Sequence, residues 1–366
     1  MTLIMVTKSE NITPFRAIHV GMMLKPELEE RGISQKELAK MIGMQPSHLS
    51  ELMKGKRPMT TDIAFKIQDA IGISANVLMS MQAQYEHDVE IIKRRGIEEM
   101  AASNELADYD NTVDVKTLAK AFNLVLMPLT AQLDGLKQMC KSNSAAEMQV
   151  AFSDGHFRKS DRNDSDPRMV NTWILIARYQ ARKSEVKGIY DVSLVEELAQ
   201  KLKRVFTENI NTIKRVSSLC SEYGIRFATC DGLPHTKIDG YSFVEDGIPA
   251  IVITNRYKRI DSMAFNVLHE LGHLVCSPAS SHINLENYSK EDPEEKAADA
   301  FANNILIPSS MWKRSPEVKM NPRDIQRKFT AWAEQEGINK WIALGRASYE
   351  TGIYAFSDPQ KTRRIT

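Results

Sequence analysis

The chain has 366 residues, with 48 Lys and Arg against 47 Asp and Glu, and a formal net charge of +1. This balance excludes a molecule whose overall charge attracts nucleic acid, so any DNA-binding surface must be local. No apolar run reaches about 18 residues, which excludes a membrane-spanning helix, and residues 1–14 lack the apolar stretch of a signal peptide. The four cysteines form no CxxC pair, which predicts a reducing cytoplasm rather than a disulfide framework.

Residues 21–72 predict a bundle of short helices with a helix-turn-helix inside it. Ser34 and Glu37 form a capping box that opens a helix over 35–42, and a glycine ends that helix. A second short helix is expected over 46–54. Two short helices joined by a glycine-containing turn are typical of helix-turn-helix proteins. An ordinary helical hairpin with a solvated polar face would show the same spacing.

The second helix of this pair is predicted to enter the major groove of DNA. Its apolar residues hold the two helices together, which leaves polar side chains, including Glu51, on the outside. Gln and Ser side chains can read base edges, while Lys and Arg contact phosphates. The predicted DNA contacts are Gln35, Gln45, Ser47, His48, Ser50, Lys54, Lys56 and Arg57.

Residues 19–81 resemble the Xre-type domain of HigA-like antitoxins and plasmid-maintenance antidotes. The stretches SQKELA, LSELMKGKRP and AFKIQDAIGIS follow each other in the order expected for that family. The resemblance implies a dimer that binds a palindromic operator. Pro26 departs from the pattern because it falls inside the first predicted helix, where it should cost a backbone hydrogen bond. Pro46 and Glu51 also depart, since Arg or other polar residues often occupy those recognition-helix positions.

The segment 263–274, MAFNVLHELGHL, predicts a metal-binding helix. His269 and His273 stand four residues apart, so they share one helix face at a separation that suits one tetrahedral metal ion. Glu270 lies beside a ligand but off its face, where it can act as general base on a water molecule at the open coordination position. Apolar residues surround these groups, so we predict that one zinc ion partners them. A core helix whose histidines bond to protein groups would carry the same pattern.

A third zinc ligand is expected downstream of this helix. A metzincin would need Gly and His where the chain has Cys276 and Ala279, so that class is excluded. The helix predicted over 291–308 offers Glu295, and Asp299 follows four residues later on the same face. Asp299 could therefore accept a hydrogen bond from the outer nitrogen of a ligand histidine. The alternative ligands are Glu294, Cys276 and His282.

The stretch 247–275 followed by 295–308 resembles the ImmA/IrrE family of zinc metallopeptidases. In that family a strand precedes the HExxH helix, and a later helix of the form E-x-x-A-N/D-x-F-A brings the glutamate ligand. Asp299 takes the Asn/Asp position here. The resemblance covers about 198–354. It implies a cytoplasmic regulatory protease that cuts, or otherwise inactivates, a repressor or toxin.

The predicted fold is mainly α with a small α+β domain. A polar, acidic and poorly periodic stretch predicts the linker, and helices at 115–125, 167–183 and 194–206 with a charged loop at 152–167 predict a helical middle region. A strand at 225–229 and a hairpin over 241–254 predict a small antiparallel sheet against the metal-binding helix. The predicted division is an all-α helix-turn-helix bundle at 1–93, a linker at 94–112, a mainly helical middle region at 113–205 and a zincin-like metallopeptidase core at 206–366.

Two functions are compatible with these motifs. The first is a DNA-bound regulator whose zinc endopeptidase cleaves itself or a partner repressor or toxin and so relieves repression. The second is an antitoxin and autorepressor that neutralises a toxin by binding, with a zinc site that is structural or inactive. Both are expected to be cytoplasmic homodimers on double-stranded operator DNA. The peptidase would also use an oxyanion donor, for which the candidates are His235, Tyr241, Arg346 and Tyr349.

Overall fold

The computed structural model describes residues 16–154, 165–256, 258–276, 282–285, 292–317 and 321–366. The chain divides into two compact units, Met1–Asn104 and Glu105–Thr366. Residues 1–15 and most of the charged loop predicted over 152–167 lie outside the described residues. Among the described helices, none combines the length and the apolar character needed to cross a membrane.

The described part of the first unit is helical, which confirms the predicted bundle. The capping box forms as expected: Ser34 Oγ accepts from the Glu37 amide at 3.3 Å, and the Glu37 carboxylate accepts from the Ser34 amide at 2.7 Å. Buried apolar side chains, among them Leu38, Leu49 and Ile67, form one core. The elements are a 3-10 turn at Val20–Met23, α1 (Leu24–Arg31), α2 (Gln35–Met41), α3 (Pro46–Met53), α4 (Thr61–Ile71) and α5 (Ala75–Asp110), whose last residues belong to the second unit.

Pro26 does not cost the first helix a hydrogen bond. The chain enters α1 through the 3-10 turn, so Pro26 is only the third residue of α1. Amide groups in the first turn of a helix have no acceptor within that helix, so a proline there removes nothing. The predicted penalty was wrong because the helix begins later than the sequence pattern indicates.

Helix α5 contains most of the segment predicted as the linker. It is continuous from Ala75 to Asp110, and residues 83–101 include no buried side chain. Ion pairs between side chains one helical turn apart stabilise this exposed part of the helix. An example is Glu90 with Arg94, whose charged atoms are 3.0 Å apart. The polar composition of 94–101 therefore reflects a stretch of α5 without a buried side chain, whereas the rest of the helix buries Ala102, Leu106 and Tyr109 on one face.

The second unit contains the remaining elements, and its predicted helices and strands form with ends shifted by a few residues. The helices before the sheet are α6 (Val115–Ala121), α7 (Leu129–Cys140), α8 (Ala145–Asp154), α9 (Pro167–Arg182), α10 (Val195–Glu208) and α11 (Thr212–Glu222). The strands are β1 (Arg226–Cys230), β2 (Ile238–Glu245), β3 (Ile248–Thr254) and β4 (His282–Leu285). The later helices are α12 (Ile260–Cys276), α13 (Pro293–Leu306), α14 (Ser309–Trp312), α15 (Pro322–Gln335) and α16 (Lys340–Thr351).

The sheet has the strand order β1-β3-β2-β4. The predicted hairpin pairs β2 with β3 antiparallel, and Asp246 and Gly247 make its turn with φ of 56° and 75°. Strand β1 runs parallel to β3, so the sheet is mixed and the predicted all-antiparallel arrangement was wrong. β1 and β2 follow each other in the sequence but lie on opposite sides of β3 in the sheet. The residue pattern within a strand does not show which neighbour that strand pairs with.

The two faces of the sheet pack against different helices. On one face, Phe227 and Ile251 join α10, α12, α15 and α16 in a single core. On the other face, Tyr241 and Phe243 pack against Trp173 of α9. Helix α9 belongs to the predicted middle region, and α10 runs through the predicted boundary between residues 205 and 206. The division of the chain at that boundary stays a prediction.

The first turn of α12 is held by the C-terminal segment. The Arg363 guanidinium donates to both carboxylate oxygens of Asp261, at 2.9 and 2.7 Å, and the side chains are only 11% and 8% exposed. The Ile260 amide donates to the Arg363 carbonyl at 2.8 Å. Gly345 of α16 packs on the same turn, where a Cβ would stand 2.9 Å from the Asp261 Cβ. These contacts fix one end of the helix that carries the predicted metal ligands.

Replacing Arg363 by alanine should lower the free energy of unfolding by about 3–5 kcal/mol, because the Asp261 carboxylate would stay buried without its partner. Urea unfolding followed by circular dichroism measures the change. Arg327→Ala is the control: it removes an exposed ion pair with Asp324, and we expect an unchanged midpoint. An equal result for the two variants would contradict the structural role of the buried pair.

Candidate functional site

Helix α12 places three of the predicted site residues in the core. His269, Glu270 and His273 each have 0% of their surface exposed. Because the histidines lie one turn apart, their rings meet, and the two Nε2 atoms are 3.0 Å from each other. Two ring nitrogens in contact inside a protein core are unfavourable unless a proton or a cation lies between them.

Helix α13 adds Glu295 to the two histidines. Its Oε2 lies 3.2 Å from His269 Nε2, and its Oε1 lies 3.6 Å from His273 Nε2. Tetrahedral zinc with ligand bonds of about 2.0–2.1 Å holds its ligand atoms about 3.3–3.4 Å apart. One ligand atom from each of the three residues lies within 4.8 Å of the others. The three side chains therefore fit one zinc ion with little rearrangement.

The sequence explains why α12 and α13 approach so closely at this point. A Cβ on Gly272, the glycine of the HELGH stretch, would stand 3.0 Å from the Ala298 Cα, so the small residue permits the contact. The Asp292 side chain caps α13 and Pro293 is its first residue, which starts the helix just before Glu295. The glutamate thus lies in the first turn, opposite the histidine pair.

Asp299 lies one turn after Glu295 and reaches the other side of His269. Its Oδ1 is 2.9 Å from His269 Nδ1. A carboxylate in this position holds the proton on Nδ1 and leaves Nε2 facing His273 and Glu295. The spacing of Glu295 and Asp299 in the sequence predicts this arrangement, and the structure brings both residues to the histidine.

The electrostatics of the cluster favour a positively charged His269 beside a negatively charged Glu295. Burial lowers the pKa of His269, but the Asp299 and Glu295 carboxylates outweigh it and raise that pKa to about 10. Burial raises the pKa of Glu295, whereas its bonds to His269 and His273 bring that pKa to about 2. A metal ion that binds here must displace the imidazolium proton, so metal uptake releases a proton.

Glu270 lies beside this cluster without being part of it. Both of its carboxylate oxygens are buried, and no described residue donates a well-aligned hydrogen bond to either. Burial raises the pKa of Glu270, while the two imidazoles and the Ser242 hydroxyl of β2 lower it. Sequence reasoning missed Ser242, although the alternation of side chains along β2 places it on the face towards α12. A buried carboxylate with so few partners is typical of a reactive group.

The structure separates two of the other candidates, Tyr241 and Arg346, from the cluster. The Tyr241 hydroxyl accepts hydrogen bonds from the Arg178 guanidinium at 3.1 and 2.9 Å, on the opposite face of the sheet. Arg346 donates to the Ile307 carbonyl at 2.6 Å, about 18 Å along α13 from Glu295. No oxyanion donor is assigned among the candidates. His235, Tyr349 and Cys276 are exposed, Glu294 is partly exposed, and the His282 side chain lies outside the described residues.

The predicted DNA contacts lie on α3 and next to it. Arg57 already has an ion-pair partner within the protein: its guanidinium lies 3.2 Å from the Glu51 carboxylate of α3. The Gln35 amide donates to the Pro46 carbonyl at 3.4 Å and so ties α2 to α3. Gln45, Ser47, His48, Lys54 and Lys56 are exposed, and Gln35, Ser50 and Arg57 are partly exposed.

A buried histidine that sequence reasoning missed supports α3 from behind. His19 Nδ1 accepts from the Gly21 amide at 3.0 Å, and its ring packs edge-on against Tyr85, with centroids 4.7 Å apart. A Cβ on Gly21 would stand 2.0 Å from the Leu52 carbonyl oxygen, so the 3-10 turn touches the end of α3 directly. The sequence pattern that could have predicted this contact is Gly21, two residues after His19 in an apolar stretch.

Comparison with known protein families supports both halves of this description. Residues 24–78 match the family described as helix-turn-helix, and residues 220–337 match the peptidase M78 family, described as an IrrE N-terminal-like domain. The chain carries these two domains, as both resemblances predict. The second match contains the whole cluster from His269 to Asp299.

Two individual proteins are similar to parts of the chain. "Virulence-associated protein I" of Dichelobacter nodosus is 34% identical over 71 residues, which covers 19% of this chain and 66% of that protein. The chain thus spans just under two thirds of that relative. The solved structure of an addiction module antidote protein of a HigA family from Coxiella burnetii is 25% identical. It covers 21% of this chain and 86% of that one, with a TM-score of 0.21.

Glu295→Gln should weaken zinc binding by more than 100-fold, since loss of a ligand exceeds the roughly 10–100-fold effect of losing an outer-shell partner. Asp299→Asn should fall within that smaller range. Competition with a chromophoric chelator measures both affinities. Glu294→Gln is the matched control in the same helical turn, and we expect wild-type affinity. A larger loss for Glu294→Gln than for Glu295→Gln would reverse the assignment of the third ligand.

Proposed function

We propose that this chain is a DNA-binding transcription regulator that carries a zinc-dependent endopeptidase, which cleaves the chain itself or a partner repressor or toxin and so relieves repression. One observation supports the enzyme more than any other. The buried Glu270 carboxylate lies beside a His269, His273 and Glu295 cluster that fits zinc, inside a domain of a peptidase family.

The residues of the cluster would divide the work of hydrolysis. When bound, zinc would polarise the scissile carbonyl and make water a better nucleophile near neutral pH. Glu270, whose pKa is raised by burial, would take a proton from the attacking water and return it to the leaving amine. His269 would ligate through Nε2 because Asp299 holds its Nδ1, and Glu295 would add the anionic ligand.

The Glu270 carboxylate also argues against a purely structural metal. Structural zinc sites use four protein ligands, whereas the described residues bring three donors together here. A structural site would gain nothing from a further buried carboxylate, which costs free energy to desolvate. General-base catalysis gives that carboxylate a use.

The DNA-binding role belongs to the first unit. Helix α3 would enter the major groove, where the exposed Gln45, Ser47 and His48 near its start meet base edges. Lys54 and Lys56 would contact phosphates. Arg57 would have to exchange its bond to Glu51 for a phosphate, which makes its contribution smaller than that of a free arginine. Double-stranded operator DNA is the proposed partner, bound as a homodimer.

The alternative is an antitoxin and autorepressor that neutralises a toxin by binding. It would use the same helix-turn-helix and leave the metal cluster structural or inactive. Loss or retention of cleavage on changing Glu270 separates the two functions, because only the endopeptidase requires that carboxylate.

Glu270→Gln should keep one zinc ion per chain and lower the cleavage rate by about 10²–10⁴-fold, since the amide cannot accept the proton. Metal content is measured by atomic absorption, and cleavage by mass spectrometry of the chain itself and of a mixed peptide library. The same isosteric change at the exposed Glu334 of α15 is the control and should leave cleavage unchanged. Normal cleavage by Glu270→Gln, or wild-type protein that binds no zinc, would overturn the endopeptidase.

The double variant Lys56→Ala with Arg57→Ala should lower affinity for a mixed-sequence DNA duplex. Each lost phosphate contact flattens the slope of log K against log salt by about 0.9, so two contacts should change it by about 2. Fluorescence anisotropy across a salt series measures the slope. Lys25→Ala with Lys66→Ala removes the same charge from α1 and α4 and should leave the slope closer to wild type. Equal slopes for the two double variants would refute the placement of α3.

A further inference from the structure

Gly240 of β2 faces the carboxylate of Glu270. A Cβ built on Gly240 would stand 2.3 Å from Glu270 Oε1 and 2.9 Å from each of its Cδ and Cγ atoms. These are its three nearest neighbours, and side-chain atoms do not pack at such distances. The space that an ordinary residue would fill at position 240 is therefore occupied by the Glu270 side chain.

The backbone does not explain why this residue is glycine. The φ angle of Gly240 is not positive, so an alanine could adopt its backbone conformation. Access for a bound peptide does not explain it either. Gly240 pairs with Ile253 of β3 on one side and with Asn284 of β4 on the other, so both edges of the strand are covered at this point.

A bulge in β2 turns Gly240 towards α12. Between Ile238 and Gly240 the register with β4 shifts by one residue, so β2 contains an extra residue there. As a result, Ile238 and Tyr241, three residues apart, both join the core on the α9 side. Gly240 then shares the α12 face with Ser242, which is fully buried.

We propose that Gly240 is a positioning residue for the Glu270 carboxylate: its missing side chain keeps open the space in which that carboxylate lies beside His269 and His273. The catalytic consequence of this inference rests on the proposed endopeptidase function, whereas the steric relation between positions 240 and 270 does not. An alanine at 240 would push the end of a flexible side chain away from its place. A displacement of about 1 Å is enough to cost a catalytic group roughly 100-fold in rate.

The first experiment measures the steric relation without any assay of activity. The melting temperatures of the full-length wild type, Gly240→Ala, Glu270→Ala and the double variant form a double-mutant cycle. Glu270→Ala removes the atoms that Gly240→Ala would strike, so the double variant should melt about 2–4 °C above the sum of the two single shifts. If Gly240→Ala does not fold, adding Glu270→Ala should restore folding. Additive shifts, or no restored folding, would overturn the inference.

The second experiment measures the catalytic consequence. Gly240→Ala should bind one zinc ion and lower kcat for peptide cleavage about 100-fold with KM unchanged, because the carboxylate moves while the ligands stay. Gly96→Ala is the matched control, since no atom lies within 4 Å of a Cβ at that position of α5. It should leave zinc content, kcat and KM unchanged.

The two experiments separate the possible failures. Coupled melting shifts together with normal kcat in Gly240→Ala would refute positioning for catalysis. Wild-type protein that cleaves no peptide would refute the endopeptidase function instead, and the melting cycle would still decide whether Gly240 holds the space for Glu270.

Discussion

The second unit is built around the burial of three ionisable side chains between α12 and α13, with a fourth, Glu270, between α12 and β2. His269, His273, Glu270 and Glu295 lie in or next to a core of apolar residues, where unpaired charge is unfavourable. Their mutual contacts, together with Asp299, offset that desolvation only if the two helices keep their crossing. Several features serve this constraint: the small Gly272 at the crossing, the capped start of α13 and the buried pair of Asp261 with Arg363 at the first turn of α12.

The parts of this site that could be predicted from the sequence are those with a local period. A helix fixes which residues share a face, so the HExxH spacing and the Glu295 to Asp299 spacing carry their geometry with them. Two such helices, both rich in small and apolar residues, pack closely. Few packings of the two helices then bring the HExxH face against the face that carries Glu295 and Asp299. The predicted helix-turn-helix follows the same logic, because its capping box and glycine turns act within a few residues.

The parts that escaped prediction depend on contacts between residues far apart in the sequence, or on one extra residue inserted in a strand. Asp261 and Arg363 are 102 residues apart, and neither sits in a pattern that names the other. The role of Gly240 depends on a bulge, which breaks the alternation of β2 between Ile238 and Gly240, so the sequence does not show that Ile238 and Gly240 lie on opposite faces. Tyr241, one of the oxyanion candidates, packs on the face of α9. The helix over 94–110 escaped because 94–101 bury no side chain, and the apolar face formed by Ala102, Leu106 and Tyr109 is too short to give a clear period.

The difference between a catalytic and a structural metal site comes down to what surrounds the ligands. Within the described residues, three donors converge, and the space next to them holds a carboxylate rather than a fourth ligand. That carboxylate is kept apart from the ligand atoms by its position on α12 and is given room by a glycine on β2. If the carboxylate served only to balance charge, a position in contact with the imidazoles would stabilise the protein more. Its place beside the three donors, in a space that one strand residue leaves open, is what the proposed endopeptidase would require of a group that moves a proton.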